Sequence, residues 1–307
     1  MNIEPLRLAL PLAFTALLLV PAARVEAQEK IRVSTVETHD IEAKAVDQTY
    51  RVHVAVPPRS QSSTDRYGVL YVTDMSAPIH AIADAIHLMG FAREIPPMIV
   101  VGVGYPVDSI VQTLAVRSRD LTPVEDLQLS AQRAMSSGIE GALETGSLSG
   151  GADDFLRFFH EELFPFVDGR YPTTAERSYF GDSLGGLFGL YALFERPETF
   201  SRYIIGSPSI WVGKEWLLDR AKQYTEEYDD LAARVFVAVG GNEEVGAAGA
   251  PFRMVTNVGR LETILAQAEL PSLRLSTHIF PDESHLSVVY MNLFRGLHKV
   301  HDPVTGQ

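Results

Sequence analysis

The chain has 307 residues, 46% hydrophobic and 21% charged, which is ample material for a core and fits one large α/β domain or two small ones. Its formal net charge of -13 is spread along the sequence and disfavours nucleic acid or an anionic membrane surface as a partner. It contains no cysteine, which excludes disulfides, thiolate catalysis, a lipid-modified N-terminal cysteine and cysteine-ligated zinc.

The start of the chain reads as an export signal. Arg7 precedes an apolar run over residues 8–20 that is too short to span a bilayer as a helix, and Val25-Glu26-Ala27 suits a signal peptidase cutting after Ala27. The expectation is a signal peptide over 1–27 and a single domain over 28–307. The mature protein would be periplasmic or secreted, with no stable membrane insertion after cleavage.

Residues 31–36 and 50–56 alternate apolar and polar, as half-buried strands do. Pro57-Pro58 ends the second, and 59–66 is a polar loop. Residues 69–73 form a continuous apolar run, as a strand buried in a parallel sheet requires. That run leads through Asp74-Met75 to a helical stretch over 79–89, and 97–104 is another buried strand. From 105 to 150 periodicity fails: 107–122 is mixed, and 124–149 is polar and rich in Gly, Ser and Ala. An irregular, lid-like insertion is therefore expected over 124–150. Residues 151–167 resume as an amphipathic helix with Phe155, Phe158, Phe159 and Leu163 on one side. A short strand then meets a glycine-flanked turn at Ser183, and a helix runs to Glu195. Strands are predicted at 200–206, 234–240 and 273–280, with helices at 214–224, 255–268 and 287–300. Strict alternation after residue 69 predicts a mostly parallel sheet covered by helices on both faces, preceded by an antiparallel strand pair.

Gly181-x-Ser183-x-Gly185, between a predicted strand and a predicted helix, is the nucleophile-elbow pattern: a strained turn that lifts a serine hydroxyl above the sheet edge. A side chain at 181 or 185 would collide with the neighbouring strand or helix, and glycine adopts such turns cheaply. A serine nucleophile needs a base, and the base needs an orienter. In the α/β-hydrolase arrangement the order is serine, acid, histidine, each in a loop after a strand's C-terminal end. Of nine histidines, His39, His53, His80, His87 and His160 precede Ser183, His298 and His301 fall in or after the last helix, and His278 lies inside a strand. His285 remains, in the loop between the last strand and the last helix. The acid should follow the preceding strand, which runs into Gly240-Gly241-Asn242-Glu243-Glu244. Either glutamate fits that place; Asp282 is a rival, set close to His285 along the chain. The oxyanion hole is expected from the backbone N–H of Leu184 and that of Met75.

Further motifs accompany the elbow: Gly104-Tyr105-Pro106, Arg119-Asp120-Leu121-Thr122-Pro123, Gly150-Gly151-Ala152-Asp153, Glu162-Leu163 ahead of Pro165, Ser207-Pro208-Ser209-Ile210-Trp211 and Arg295-Gly296-Leu297. Together they span most of the chain after residue 27. They resemble the esterase branch of the α/β hydrolases that includes the enterochelin (ferric-siderophore) esterases and esterase D. The resemblance implies the α/β-hydrolase fold, with Ser183 as nucleophile, His285 as base and Glu243 as acid. The family spacing counts three residues on from the glycine that ends the strand. That gives Glu243 from Gly240 and would give Glu244 from Gly241.

Two positions depart from the family. Met75 stands where glycine is frequent, which would narrow the oxyanion loop. Asp182 stands where His or Ser is frequent, which would disfavour anionic substrates. The function implied is an exported serine esterase that cleaves a carboxylic ester through a Ser-Glu-His triad and an acyl-enzyme, with a siderophore-type ester as substrate. Acyl transfer by the same residues, or ligand binding without turnover, are the alternatives. The implied partner is a small-molecule ester, and no cofactor or metal is called for. Specificity is expected around Trp211, Trp216 and the 124–150 segment.

Overall fold

Alternating residues near the start of the chain pair as an antiparallel hairpin, β1 (Thr35–Ala43) with β2 (Gln48–Val56). The computed structural model describes residues 34–44, 46, 48–58, 65–73, 79–107, 110–137 and 148–301, which belong to a unit spanning Arg32–Gln307. The predicted signal peptide, with Val25-Glu26-Ala27, lies outside the described residues. The first strand runs later than the 31–36 prediction. It forms the edge of the sheet and is exposed or half-buried on both faces except at Ala43, so apolar alternation does not mark its true extent.

The remaining strands are β3 (Tyr67–Thr73), β4 (Met98–Gly104), β5 (Thr173–Asp182), β6 (Arg202–Gly206), β7 (Arg234–Gly240) and β8 (Arg274–Phe280). They form one eight-stranded sheet in the order β1-β2-β4-β3-β5-β6-β7-β8. β2 pairs antiparallel with β4, and every pairing from β4 through β8 is parallel. All seven residues of β4 are buried, which is why its sequence is a continuous apolar run. This is the α/β-hydrolase fold, with N-terminal antiparallel strands joined to a parallel sheet.

The helices are α1 (Ile79–Phe91), α2 (Ile110–Asp120), α3 (Leu127–Ser137), α4 (Ala152–Phe158), α5 (Phe164–Arg170), α6 (Leu184–Glu195), α7 (Trp216–Glu227), α8 (Gly246–Gly249), α9 (Met254–Gln267) and α10 (Val289–Val300). A π-helical turn, Phe159–Leu163, joins α4 to α5, so the predicted amphipathic helix is continuous but locally underwound, with its register shifted. Side-chain alternation along the strands divides the core in two. Tyr71, Tyr179 and Tyr203 face the layer of α4 to α7 and α9, while Leu70, Phe180 and Ile204 face α1 and α10. In the first layer Phe159 is fully buried, with the rings of Phe155, Phe188 and Phe200 at 5.1, 5.8 and 6.0 Å. Its truncation to alanine would cost about 3–5 kcal/mol.

The irregular insertion expected over 124–150 is, in its described part, the helix α3. Residues 138–147 lie outside the described residues. Asp126 accepts the Leu129 N–H at 2.9 Å and the Gly213 N–H at 3.1 Å, capping α3 and tying it to the segment before α7. Ser149 Oγ accepts the Asp126 N–H at 2.8 Å and closes the base of the insertion. The mixed stretch before it is α2, which packs against α3.

Candidate active site

β5 ends at Asp182 and α6 begins at Leu184, leaving Ser183 alone at the turn with φ 60° and ψ −118°. Such a conformation costs on the order of 1–3 kcal/mol in a non-glycine residue and persists only where the surroundings fix it. Here the Ser183 N–H donates to Gly206 O at 2.9 Å, and its carbonyl accepts from Leu187 and Ser209 N–H, both at 3.0 Å. Gly181 is required because a Cβ there would overlap the Gly185 carbonyl and the Tyr179 hydroxyl. At Gly186 a Cβ would lie 2.6 Å from Gly206 O, so the helix could not approach β6 so closely.

His285 sits in the loop between β8 and α10, and its Nδ1 donates to Glu243 Oε2 at 2.6 Å. Glu243 occupies the short 3-10 turn Gly241–Glu244 after β7 and is buried. Its other oxygen, Oε1, accepts the Gly240 N–H at 2.7 Å and the Ser207 hydroxyl at 2.6 Å. One carboxylate thus receives three donors, which fixes its rotamer and offsets the cost of burying it. The hydrogen bond to Glu243 raises the His285 pKa above the ordinary histidine value. Burial opposes this, the charge of Asp182 adds to it, and Arg117 on α2 works against it.

Glu244, the other glutamate, turns away. Its carboxylate accepts the Thr256 N–H at 2.7 Å and the Thr256 hydroxyl at 2.6 Å, satisfying a donor in the first turn of α9. Burial would raise its pKa, but the Thr256 bonds hold it below the ordinary value. Asp282 is exposed, and its backbone carbonyl accepts from Asn242 Nδ2 at 3.0 Å. Leu184 is the first residue of α6, where a backbone N–H has no partner within the helix. Met75 lies outside the described residues.

Ser183, Glu243 and His285 line one cleft of about 460 Å³ with Ser209, Trp211 and Phe252. Among the described residues the Ser183 hydroxyl bonds to Ser209 Oγ at 3.2 Å and not to His285. Catalytic hydrogen bonds commonly tighten only once substrate is bound. Trp211 packs on Phe252 with ring centroids 5.0 Å apart, and these two rings also wall a neighbouring cavity of about 1050 Å³. That cavity is lined further by Leu127 and Gln128 of α3 and by Trp216. Both tryptophans and the start of the 124–150 segment, residues 124–129 with Gln132, therefore border open space next to the cleft that holds Ser183. Asp182 does not line the cleft. It is buried behind Ser183 and accepts from Asn292 Nδ2 at 3.1 Å, so it makes no contact in the cleft and would act on a substrate there only through its charge. Among the described residues no three His, Asp or Glu side chains converge as metal ligands.

Sequence reasoning missed Ser207, Ser209 and Asn292. The two serines lie in the Ser207-Pro208-Ser209-Ile210-Trp211 motif, which marked kinship without indicating a contact. Asn292 gave one signal: a polar residue between apolar neighbours on the inner face of the last helix.

The family described as "Putative esterase" matches residues 43–285. Ferri-bacillibactin esterase BesA of Bacillus subtilis (strain 168) is 27% identical over 267 residues, covering 85% of this chain and 88% of that protein. A siderophore enterobactin esterase of Emericella nidulans is 32% identical over 187 residues, covering 58% of this chain and 59% of that protein. Among solved structures, the BES protein from Bacillus cereus superposes with a TM-score of 0.71 at 26% identity, over 90% of this chain and 100% of that one. The chain belongs to the "Putative esterase" family and is a hydrolase on the α/β-hydrolase fold.

Proposed function

We propose that the protein is a serine esterase that cleaves a carboxylic ester through Ser183, His285 and Glu243. The observation that carries this reading is the buried Glu243 carboxylate bonded to His285 Nδ1 at 2.6 Å, in the cleft that also holds the strained Ser183. With Nδ1–H committed to Glu243, the lone pair is on Nε2, where a base is needed. Ser183 Oγ attacks the ester carbonyl carbon as Nε2 takes its proton. The oxyanion receives the N–H of Leu184 and, from the loop after β3, that of Met75. The carbonyl carbon–oxygen bond breaks, and His285 gives the proton to the leaving alcohol. Water repeats the sequence on the acyl-enzyme and releases the acid.

The substrate class we infer is a siderophore-type ester, because relatives that match this chain are named ferri-bacillibactin and enterobactin esterases. A large substrate suits the cleft and the cavity that share the Trp211 and Phe252 wall. The export signal over 1–27, the single domain over 28–307 and a lid role for the insertion carrying α3 belong to the same reading. Incubation with a fluorophosphonate, followed by peptide mass spectrometry, tests it. The expected result is one label, on Ser183, with parallel loss of turnover of a chromogenic ester and of a catecholate trilactone. Label on another residue, or turnover that survives full labelling of Ser183, would overturn it.

A further inference from the structure

We propose that Asp182, Asn292 and Ser207 form a buried positioning relay behind the cleft. In it Ser207 fixes the Glu243 rotamer that faces His285, and Asp182 supplies a second, fixed carboxylate charge. The inference rests on the Ser-Glu-His reading above and concerns residues that never touch substrate.

Aspartate is seldom buried without a partner. Asp182 is buried, and a buried charge is costly without partners. Its Oδ1 accepts from Asn292 Nδ2 at 3.1 Å. Asn292 is fully buried on α10, where asparagine is a poor helix former and leucine would bury more apolar area. The same Nδ2 lies 3.5 Å from Ser207 Oγ, and Ser207, also fully buried, donates to Glu243 Oε1 at 2.6 Å. The polar atoms therefore run in sequence from Asp182 through Asn292 and Ser207 to Glu243, and from there to His285.

The backbone is shaped around this line. Ser207 adopts φ 38°, a left-handed conformation, and is held there by its N–H to Ala238 O at 2.7 Å. Gly206 leaves the space: a Cβ there would overlap Asp182 Oδ1 and lie 2.7 Å from Asn292 Nδ2. The ends of β5, β6 and β7 and the first turn of α10 thus meet at one polar cluster inside an otherwise apolar layer.

The charged groups acting on His285 are Glu243 from the turn after β7, Asp182 from the end of β5, and Arg117 from α2. The two carboxylates favour the imidazolium that forms when His285 takes the serine proton, and neither has to reorganise as the charge develops. Loss of the Asp182 charge should therefore lower the basicity of His285 without altering the cleft.

A merely structural cluster and a positioning relay differ in their pH profiles. Asp182→Asn keeps an oxygen to accept from Asn292 and removes the charge. Ser207→Ala removes one donor to Glu243 and leaves the Asp182–Asn292 bond. The test is kcat and KM for a chromogenic ester across pH, with thermal unfolding of each variant and fluorophosphonate labelling of the wild type. In Asp182→Asn the acid limb should move down by about half a pH unit or more. In Ser207→Ala kcat should fall about tenfold with KM unchanged. A folded Asp182→Asn protein whose profile superimposes on the wild type overturns the relay. Should that variant not fold, a wild-type kcat in Ser207→Ala overturns it equally. Wild type that neither labels at Ser183 nor turns over ester would overturn the triad reading, and the relay with it.

Discussion

Ser183 stands at φ 60° between a strand and a helix that both depend on its backbone bonds, and its hydroxyl opens into the cleft. Ser183→Ala keeps those backbone bonds, so the fold should persist while kcat falls by on the order of 10⁶. Steady-state kinetics beside a thermal melt check both halves of that expectation. The two neighbouring glutamates offer a sharper contrast. Glu243→Gln removes the charge that orients His285, and kcat should fall at least about 100-fold with little change in KM. The sign with pH follows from the raised His285 pKa. With His285 as the proposed base the ring must be neutral, so kcat/KM should climb as pH rises through that value, and losing Glu243 should shift the climb to lower pH. In stability the same elevation is a gain present at low pH and lost as pH rises through the folded-state value. Glu244→Ala should leave kcat within a few-fold of wild type and reduce stability by about 1 kcal/mol, because Glu244 satisfies the start of α9. A pH profile moved by Glu244→Ala and not by Glu243→Gln would reverse the assignment. The family spacing implied Glu243 only if the strand ends at Gly240, which is where β7 ends, and the glutamate three residues on is the one bonded to His285. Ser207 and Asn292 were not legible. Their roles depend on contacts across 36 and 110 residues of chain, and no local pattern reports such contacts.

At the scale of elements, the weakest sequence reading fell on α2 and α3. Their apolar residues are interspersed with polar ones, and each helix packs partly on the other rather than wholly on the sheet, so neither sequence shows the apolar run of a fully buried element. What defines α3 is its cap. Asp126→Ala removes the acceptor for both Leu129 and Gly213 N–H groups, at a cost of about 1–2 kcal/mol. Hydrogen exchange should then accelerate over 127–137 while β4 and β5 keep their protection. Unchanged exchange would mean that packing, not the cap, holds the helix. The wall formed by Trp211 and Phe252 makes a kinetic prediction of its own. Phe252→Ala opens the partition between cleft and cavity, and should raise KM for an ester with a large aromatic arm by about tenfold, roughly 1.4 kcal/mol. KM for an acetyl ester should change little. An equal rise for both esters would place Phe252 in the general shape of the cleft and not in the recognition of a large substrate.

For the whole molecule, apolar runs alternating with helical segments after residue 69 were enough to give a parallel sheet with helices on both faces, since continuous burial leaves the strands almost no polar residues. The edge was harder, because β1 owes its place to pairing with β2 rather than to any apolar face of its own. That difference sets the last prediction. Every described strand lies C-terminal to Gln28, within the unit Arg32–Gln307, so a chain beginning at Gln28 should fold and cleave ester as the full chain does. Its thermal midpoint should match to within about 2–4 °C, the shift that 1 kcal/mol brings to a large domain. A chain beginning at Gln48 should behave differently. It lacks β1, and with it the bond from Tyr171 to Glu37 at 2.8 Å, and it leaves β2 as a new edge whose inward Tyr50, Val52 and Val54 are fully buried in the intact sheet. An unpaired edge of that kind invites intermolecular strand pairing. Light scattering and circular dichroism on the two truncations should show a cooperative transition for the longer and aggregation for the shorter. Cooperative, active protein from Gln48 onward would mean that β1 is dispensable and that the sheet effectively begins at β2.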